Sequence, residues 1–292
     1  MKASLDGMRA FSGGRLPKWS PALPRAVNFR PRRGGHSTNA ERIVYFPSCA
    51  ARNMGAQRGD EEIEALPVVA ERLFAKAGFE VVYPERLGDL CCGQPFESKG
   101  LFEVADHKSA ELEAALRSAG ENGHLPIVFD TSPCTYRMKR YLAGRLAVQD
   151  SVEFVHDFVL PRVGVEAIAG PVAIHPVCSL RKMGTVDKLV AVAARCSRDV
   201  VEVDQVLCCG FAGEKGFSRP ELNEHALRHL KSALPVECVQ GYSSSRTCEI
   251  GLSEYSGLPY RSIIRLVEAC TSARSPRSPA AADQEQHSMS VA

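Results

Sequence analysis

Two cysteine doublets, each closed by a glycine, constrain this chain more than any other feature: "LCCGQPF" at residues 90–96 and "LCCGFAG" at residues 207–213. In an extended strand neighbouring side chains point to opposite faces. Cys91 and Cys92, or Cys208 and Cys209, can therefore serve one centre only if the backbone turns at the doublet. Gly93 and Gly210 supply the conformations such a turn needs. A chain with both doublets has to build the same bend twice.

The surroundings of the doublets repeat as well. A strand running into proline and cysteine comes first, "IVYFPSC" with Cys49 and later "VAIHPVC" with Cys178. The doublet follows. Last comes a strand, a loop with a lone cysteine and a helical stretch, "FDTSPCTYRMKRYL" with Cys134 and "GYSSSRTCEIGL" with Cys248. In the first half 41 residues separate Cys49 from Cys91 and 41 separate Cys92 from Cys134; the second half has 29 and 38. Sulfurs this distant in sequence meet only if the fold gathers them.

The intervening chain reads as strands alternating with helices. "ERIVYF" (41–46), "FEVVYP" (79–84), "PIVFD" (126–130), "PVAIH" (171–175), "DVVEVD" (199–204) and "PVECVQ" (235–240) are short, rich in β-branched residues and bounded by turn residues. Helical patterns lie over 60–78, 98–120, 185–199 and 218–234. The alternation implies an α/β fold of two pseudo-repeated parallel-sheet halves. Open parallel sheets bind ligands at the carboxyl ends of their strands, which is where all eight cysteines fall.

At 292 residues the chain has room for one large domain or two ordinary ones. We divide it into a basic irregular arm (1–40), a first cysteine-rich half (41–165), a second (166–270) and a tail (271–292). The tail has no apolar periodicity and is expected to be disordered. Residues 1–40 carry eight Lys or Arg against Asp6 alone, whereas residues 41–270 balance to −5. Trp19, Pro21 and Pro24 interrupt the arm and spoil an amphipathic targeting helix. No apolar run approaches the roughly 20 residues of a membrane span. The chain is expected to be cytoplasmic, and no nucleic-acid partner is expected.

Four thiols at one place narrow the chemistry. A disulfide framework fits poorly, since the cysteines number 11 and nothing indicates secretion. Zinc sites usually use C-x2-C knuckles, and no two cysteines here are three apart. The same spacing rules out a bacterial ferredoxin run. An iron–sulfur cluster is the best account of the donors, with four-cysteine zinc in a structural subunit as the alternative.

The double Cys-Cys-Gly layout resembles the cysteine-rich domain of heterodisulfide reductase B subunits and glycolate oxidase iron–sulfur subunits. More closely, "KWSPALPRAV", "SVEFVHDFVLPRV", "HPVCSLRKMG", "CCGFAGEKGFSRPEL" and "GYSSSRTCEIGLSEYSGLPYRSIIRLVE" resemble the C-terminal part of bacterial FAD- and iron–sulfur-containing D-lactate dehydrogenases. The resemblance spans about residues 16 to 270. It implies an electron-transfer role, relaying electrons from reduced flavin to an acceptor. Cys49, Cys91, Cys92 and Cys134 would then serve one iron–sulfur cluster of the 4Fe-4S type, and Cys178, Cys208, Cys209 and Cys248 another.

The resemblance also implies that FAD sits on a partner flavoprotein subunit or domain, with a ferredoxin-like domain as a further partner. A quinone-linked acceptor would bring the chain to a membrane surface without a span. This sequence has neither a glycine-rich dinucleotide loop nor ferredoxin cysteines, so by itself it is not expected to bind FAD or oxidise lactate. Arg137 and Gly251 stand where heterodisulfide reductase subunits carry the second cysteine of a C-x2-C, which speaks against their five-cysteine cluster. A heterodisulfide-reductase-like thiol enzyme is accordingly the weaker reading.

Other residues have plain readings. Cys196, Cys238 and Cys270 fit buried small hydrophobes. His175, three residues before Cys178, reads as a satisfied polar residue at a strand end, with a hydrogen bond to a cluster sulfur as the functional alternative. Lys182, Lys215 and Arg246 lie near cysteines in sequence and could raise a cluster's potential by their charge. His107, His156, His225 and His229 fall on helical faces.

Overall fold

The computed structural model describes residues 20–31, 40–57, 64–213 and 215–273, together with residues 7, 8, 10–13 and 16. Trp19 and residues 274–292, on which part of the reading of the arm and tail rests, lie outside them.

Two four-stranded sheets form the body, and every strand pair in each is parallel. The first contains β2 (Glu41–Phe46), β4 (Phe79–Val82), β5 (Ile127–Phe129) and β6 (Gln149–Asp150), in the order β4-β2-β5-β6. The second contains β8 (Val172–Ile174), β9 (Val200–Glu202), β10 (Gly241–Ser243) and β11 (Tyr260–Ser262), in the order β9-β8-β10-β11. Strand for strand the two orders are the same. The repeat read from the cysteines is thus a repeat of topology.

Two antiparallel ribbons flank the sheets. β1 (Pro24–Ala26) pairs with β3 (Met54–Gln57), and β7 (Val163–Val165) pairs with β12 (Thr271–Ala273). The second ribbon brings the start and the end of the second half together, with Val165 opposite Thr271. The tail therefore begins as a strand.

Helices connect the parallel strands, as crossovers between parallel neighbours require. Those used below are α1 (Cys49–Asn53), α2 (Leu66–Lys76), α3 (Phe102–Ala119), α4 (Ser132–Leu142), α5 (Cys178–Met183), α6 (Val186–Cys196), α7 (Pro220–Leu227), α8 (Arg246–Ser256) and α9 (Ile263–Cys270). Two expectations shift. The strand expected over 235–240 is a turn, with Cys238 N donating to the Pro235 carbonyl, and the strand is Gly241–Ser243 instead. Val236 and Val239, the apolar residues behind that expectation, are exposed. The helix expected over 218–234 is interrupted after Leu227 and resumes at Leu230.

The core explains the register. Along β2, Ile43 and Tyr45 point into one apolar cluster and Val44 and Phe46 into another, the period of two that a strand buried on both faces requires. The cluster around Ile43 continues without a break into Val172, Ile174, Leu189 and Ile264 of the second half. Phe154 sits within it, packed edge-on to Phe74 with ring centroids 5.6 Å apart and against Phe79 at 5.1 Å. Burying such a ring contributes roughly 1.5–3 kcal/mol.

Polar contacts also cross between the halves. Glu268 on α9 accepts from Arg72 and Lys76 on α2, each at 2.7 Å. Arg246 at the start of α8 donates to the Gly55 carbonyl at 2.5 Å.

Candidate metal centres

Each half gathers its four thiols at the carboxyl edge of its sheet. Cys49 opens α1 three residues after β2, and Cys134 lies in α4 after β5; Cys178 opens α5 after β8, and Cys248 lies in α8 after β10. The doublets arrive from the loops after β4 and β9. In the first site Cys49 hydrogen-bonds Cys91, Cys91 bonds Cys92, and Cys92 Sγ is 3.0 Å from Cys134 Sγ. In the second, Cys178 bonds Cys208, Cys208 bonds Cys209, and Cys209 Sγ is 3.0 Å from Cys248 Sγ. All eight cysteines singled out in the sequence are in these two chains of contacts.

The doublets turn as their sequence demands. Gly93 has φ +86° and Gly210 φ +71°. A Cβ at Gly93 would lie 2.3 Å from the Ala105 carbonyl oxygen, and one at Gly210 would lie 2.4 Å from that of Leu222. Both glycines are needed twice over, for a left-handed backbone and for close approach to a helix. Each bend is pinned by one side chain of that helix: Ser109 Oγ on α3 donates to the Cys92 carbonyl at 2.9 Å, and Asn223 Nδ2 on α7 donates to the Cys209 carbonyl at 2.7 Å.

The first half adds a buried polar brace. Ser48 caps α1 by accepting from Ala51 N at 3.1 Å. Its own amide donates to Asp130 Oδ1 at 2.9 Å, while Tyr45 Oη donates to Asp130 Oδ2 at 2.9 Å. Burial raises the pKa of the Asp130 carboxyl, opposed by these hydrogen bonds. The brace fixes where the chain leaves β2 and hence where Cys49 stands.

Within each site one thiol is driven to its thiolate. Hydrogen bonds from Cys49 and Cys92, with the Gly93 N–H and the Arg52 charge behind them, pull Cys91 down to about 3. Cys208 falls to about 2 by bonds from Cys178 and Cys209, helped by the Gly210 N–H and His175. The donors Cys49, Cys178, Cys92 and Cys209 are correspondingly raised. Sequence reasoning missed Arg52. It is buried and donates to the Leu90 carbonyl at 2.8 Å and also to that of Leu87, so it holds the loop that delivers the doublet. Its signal was available, because Cys49-x-x-Arg52 recurs as Cys178-x-x-Arg181. Arg181 pairs with Glu202 at 2.6 Å.

The remaining residues sort themselves by contact. Lys182 is close enough to Cys178 to favour its thiolate. Arg246 instead pairs with buried Glu249 at 3.1 Å and joins the halves. His175 is buried at the end of β8, its amide bonded to the Tyr242 carbonyl, its Nε2 without a partner among the described residues and its pKa pushed by burial to about 4. His107 and His156 pair with the neighbouring acids Glu111 and Asp157 on the surface. Cys238 is buried with its Sγ 3.4 Å from the Gln240 carbonyl.

The positions of a C-x2-C second sulfur are closed. Arg137 is buried and ion-paired with Glu97 at 2.8 Å and with Asp106. At Gly251 a Cβ would lie 2.9 Å from Asn223 Nδ2, the group that pins the second doublet.

Sulfur-only donors in fours, with both doublet sulfurs bent to one side, fit a soft metal or an iron–sulfur group. A tetrahedral zinc with Zn–S near 2.3 Å needs sulfurs roughly 3.8 Å apart, so the 3.0 Å pairs would have to open. As they stand, no three His, Cys, Asp or Glu side chains among the described residues are spaced to hold a single metal ion.

Comparison with known proteins places part of this architecture. Residues 43–139 match the family model described as a cysteine-rich domain, designated CCG. The matched stretch contains Cys49, Cys91, Cys92 and Cys134, and so covers the first site. No curated protein matches the chain. Among solved structures, a glutamate racemase from Aquifex pyrophilus is 11% identical, covering 78% of this chain and 81% of its own, with a TM-score of 0.34. An allantoin racemase from Klebsiella pneumoniae is 11% identical, covering 79% and 85%, with a TM-score of 0.28. Likenesses this weak carry no inference about activity. No helix among the described residues is long and apolar enough to cross a membrane.

Proposed function

We propose that each four-thiol site holds an iron–sulfur cluster, of the 4Fe-4S type, and that the chain is the electron-transfer module or subunit of an FAD-dependent D-2-hydroxyacid (D-lactate) dehydrogenase. One observation carries the reading: the same four thiols stand at the same strand ends of two sheets with the same strand order. When bound, such clusters supply one-electron redox chemistry tuned by nearby charge and hydrogen bonds. The chain's own residues converge the sulfurs through the Gly93 and Gly210 bends and set positive charge beside them through Arg52 and Lys182. Two adjacent sites suit a relay that takes electrons from a flavoprotein partner and passes them on. The closed positions at Arg137 and Gly251 favour four sulfurs per site over five.

Anaerobic purification with iron, acid-labile sulfide and zinc analysis tests the proposal. The expected protein is brown, carries iron and sulfide, and gives a paramagnetic resonance signal in at least one redox state. Cys209→Ser or Cys248→Ser should lower the iron of the second site while Cys196→Ser leaves it unchanged. Colourless anaerobic protein with stoichiometric zinc would overturn the proposal in favour of a structural role.

A further inference from the structure

Two of the three cysteines outside the sites are in contact with each other. Cys196 is the last residue of α6 and Cys270 the last of α9. Their thiols are hydrogen-bonded, and Cys270 Sγ lies 3.6 Å from the Cys196 carbonyl oxygen. Both are buried. One short segment holds both helix ends: Ile168 N donates to the Cys196 carbonyl and Glu166 N to the Cys270 carbonyl, each at 2.8 Å.

The pair is remote from the sites by construction. Each helix follows a strand of the second sheet and ends beside the amino-terminal edge, where Ile168 bridges Ser197 and Ser197 Oγ donates to the Gly170 carbonyl at 2.9 Å. The ligand-gathering cysteines stand at the opposite edge. This dithiol therefore cannot share their centre, whatever that centre holds.

We propose that Cys196 and Cys270 form a third, independent thiol site that closes to a disulfide on oxidation and staples the ends of α6 and α9. Thiols already in contact are the starting geometry for a bond that needs Cβ atoms about 3.8 Å apart. The pair is also chemically unequal. The Cys196 thiol beside it and the Lys76 charge lower the Cys270 pKa against the opposing effect of burial, whereas the Cys196 thiol is raised. Lys76 is fixed there by bonds to the Glu268 and Thr271 carbonyls at 2.6 and 2.8 Å.

With a peroxide as oxidant the step balances. The Cys270 sulfur attacks one peroxide oxygen, the O–O bond breaks, and one water leaves after proton uptake. Cys196 sulfur then displaces the hydroxyl from the Cys270 sulfenic acid as a second water. Two thiols and one hydrogen peroxide give one disulfide and two waters. The closed loop of 74 intervening residue steps restricts the unfolded chain, so the oxidised form should melt higher.

The test uses the full chain purified without oxygen, treated with a small excess of hydrogen peroxide, alkylated and mapped by peptide mass spectrometry. The expected product is a cross-linked peptide joining Cys196 to Cys270, lost on reduction, with a rise of several degrees in Tm. Cys196→Ala should abolish the cross-link and the Tm rise and leave Cys270 as a sulfenic acid that dimedone labels. Full alkylation of both residues after peroxide has consumed other thiols would overturn the proposal, as would Cys270 cross-linked to any of the eight site cysteines. The mapping of the unsubstituted chain decides the matter even if the variant fails to fold.

Discussion

Ser132 and Ser244 meet hydroxyl to hydroxyl at 2.7 Å, and the Ser132 amide donates to the Ser244 carbonyl at 3.0 Å. Ser132 opens the helix that carries Cys134, and Ser244 stands two residues before the helix that carries Cys248. The two cysteine sites are therefore tied to each other through buried backbone. Ser132→Ala should cost about 1–3 kcal/mol, because it leaves a buried hydroxyl without its partner. The double substitution S132A/S244A should cost less than the sum of the singles in urea unfolding.

The glycines after the doublets should tolerate nothing larger. Gly93→Ala or Gly210→Ala puts a Cβ against a helix carbonyl at a left-handed position. Each should destabilise by at least about 2 kcal/mol, combining backbone strain with the clash. Metal content of the affected half should fall with it, which chemical denaturation and metal analysis on the same preparation would show.

Arg52 offers a contrast between charge and geometry. Arg52→Lys keeps the charge but replaces a planar fork that reaches the carbonyls of both Leu87 and Leu90 with a single point donor. The lysine variant should lose on the order of 1–3 kcal/mol through the unpaired carbonyl. Faster proteolysis between residues 86 and 92 would confirm that the loop, and not only the charge, was lost.

The pH dependence of stability should carry a signature of Asp150. Burial pushes its carboxyl up to about 6, despite hydrogen bonds from Val152 N at 3.0 Å and Thr135 Oγ1 at 2.9 Å. The folded chain then holds this proton more tightly than the unfolded chain, whose carboxyl titrates near ~3.9. Its contribution is fully present below about pH 4 and is lost as pH rises through about 6, a fall of roughly 3 kcal/mol. Asp150→Asn, which keeps the acceptor oxygen, should flatten the curve between those values in metal-free protein. An unchanged slope would show that Asp150 does not titrate there.

The flavin should come from elsewhere. Purified chain should contain no FAD and reduce no dye with D-lactate, whereas a flavoprotein partner should be pulled down with it. Deleting residues 1–40 should weaken that capture while sparing iron. An isolated chain that binds FAD and turns over D-lactate would end the subunit reading; intact capture after deletion would show only that residues 1–40 are not the segment that docks the flavoprotein.

Much of this architecture could be read from the residues because the chemistry repeats. Val- and Ile-rich runs ending in Pro-x-Cys marked β2 and β8, and the glycine after each doublet marked a bend that the backbone bears out. The strand at 241–243 escaped notice because "GYS" has no β-branched residue and a single large apolar one, Tyr242, while the better-looking "PVECVQ" before it is turned by Pro235. Tyr260 packs over Gly241, where a Cβ would lie 2.5 Å from the ring, so that strand is selected by close packing and not by propensity. The carbonyl partners of Arg52 and the Cys196–Cys270 contact were hidden for another reason. Both depend on residues brought together from 35 or more positions apart, which a local pattern cannot reveal.

The ribbon of Val163–Val165 with Thr271–Ala273 gives the second half a property of its own. Its first and last residues are neighbours, so this stretch leaves the rest of the molecule and re-enters it at one doorway. Insertions tolerated by folded proteins have that shape. Lengthening or shortening of the chain inside the doorway need not move the first sheet, provided the face that shares the common core is kept.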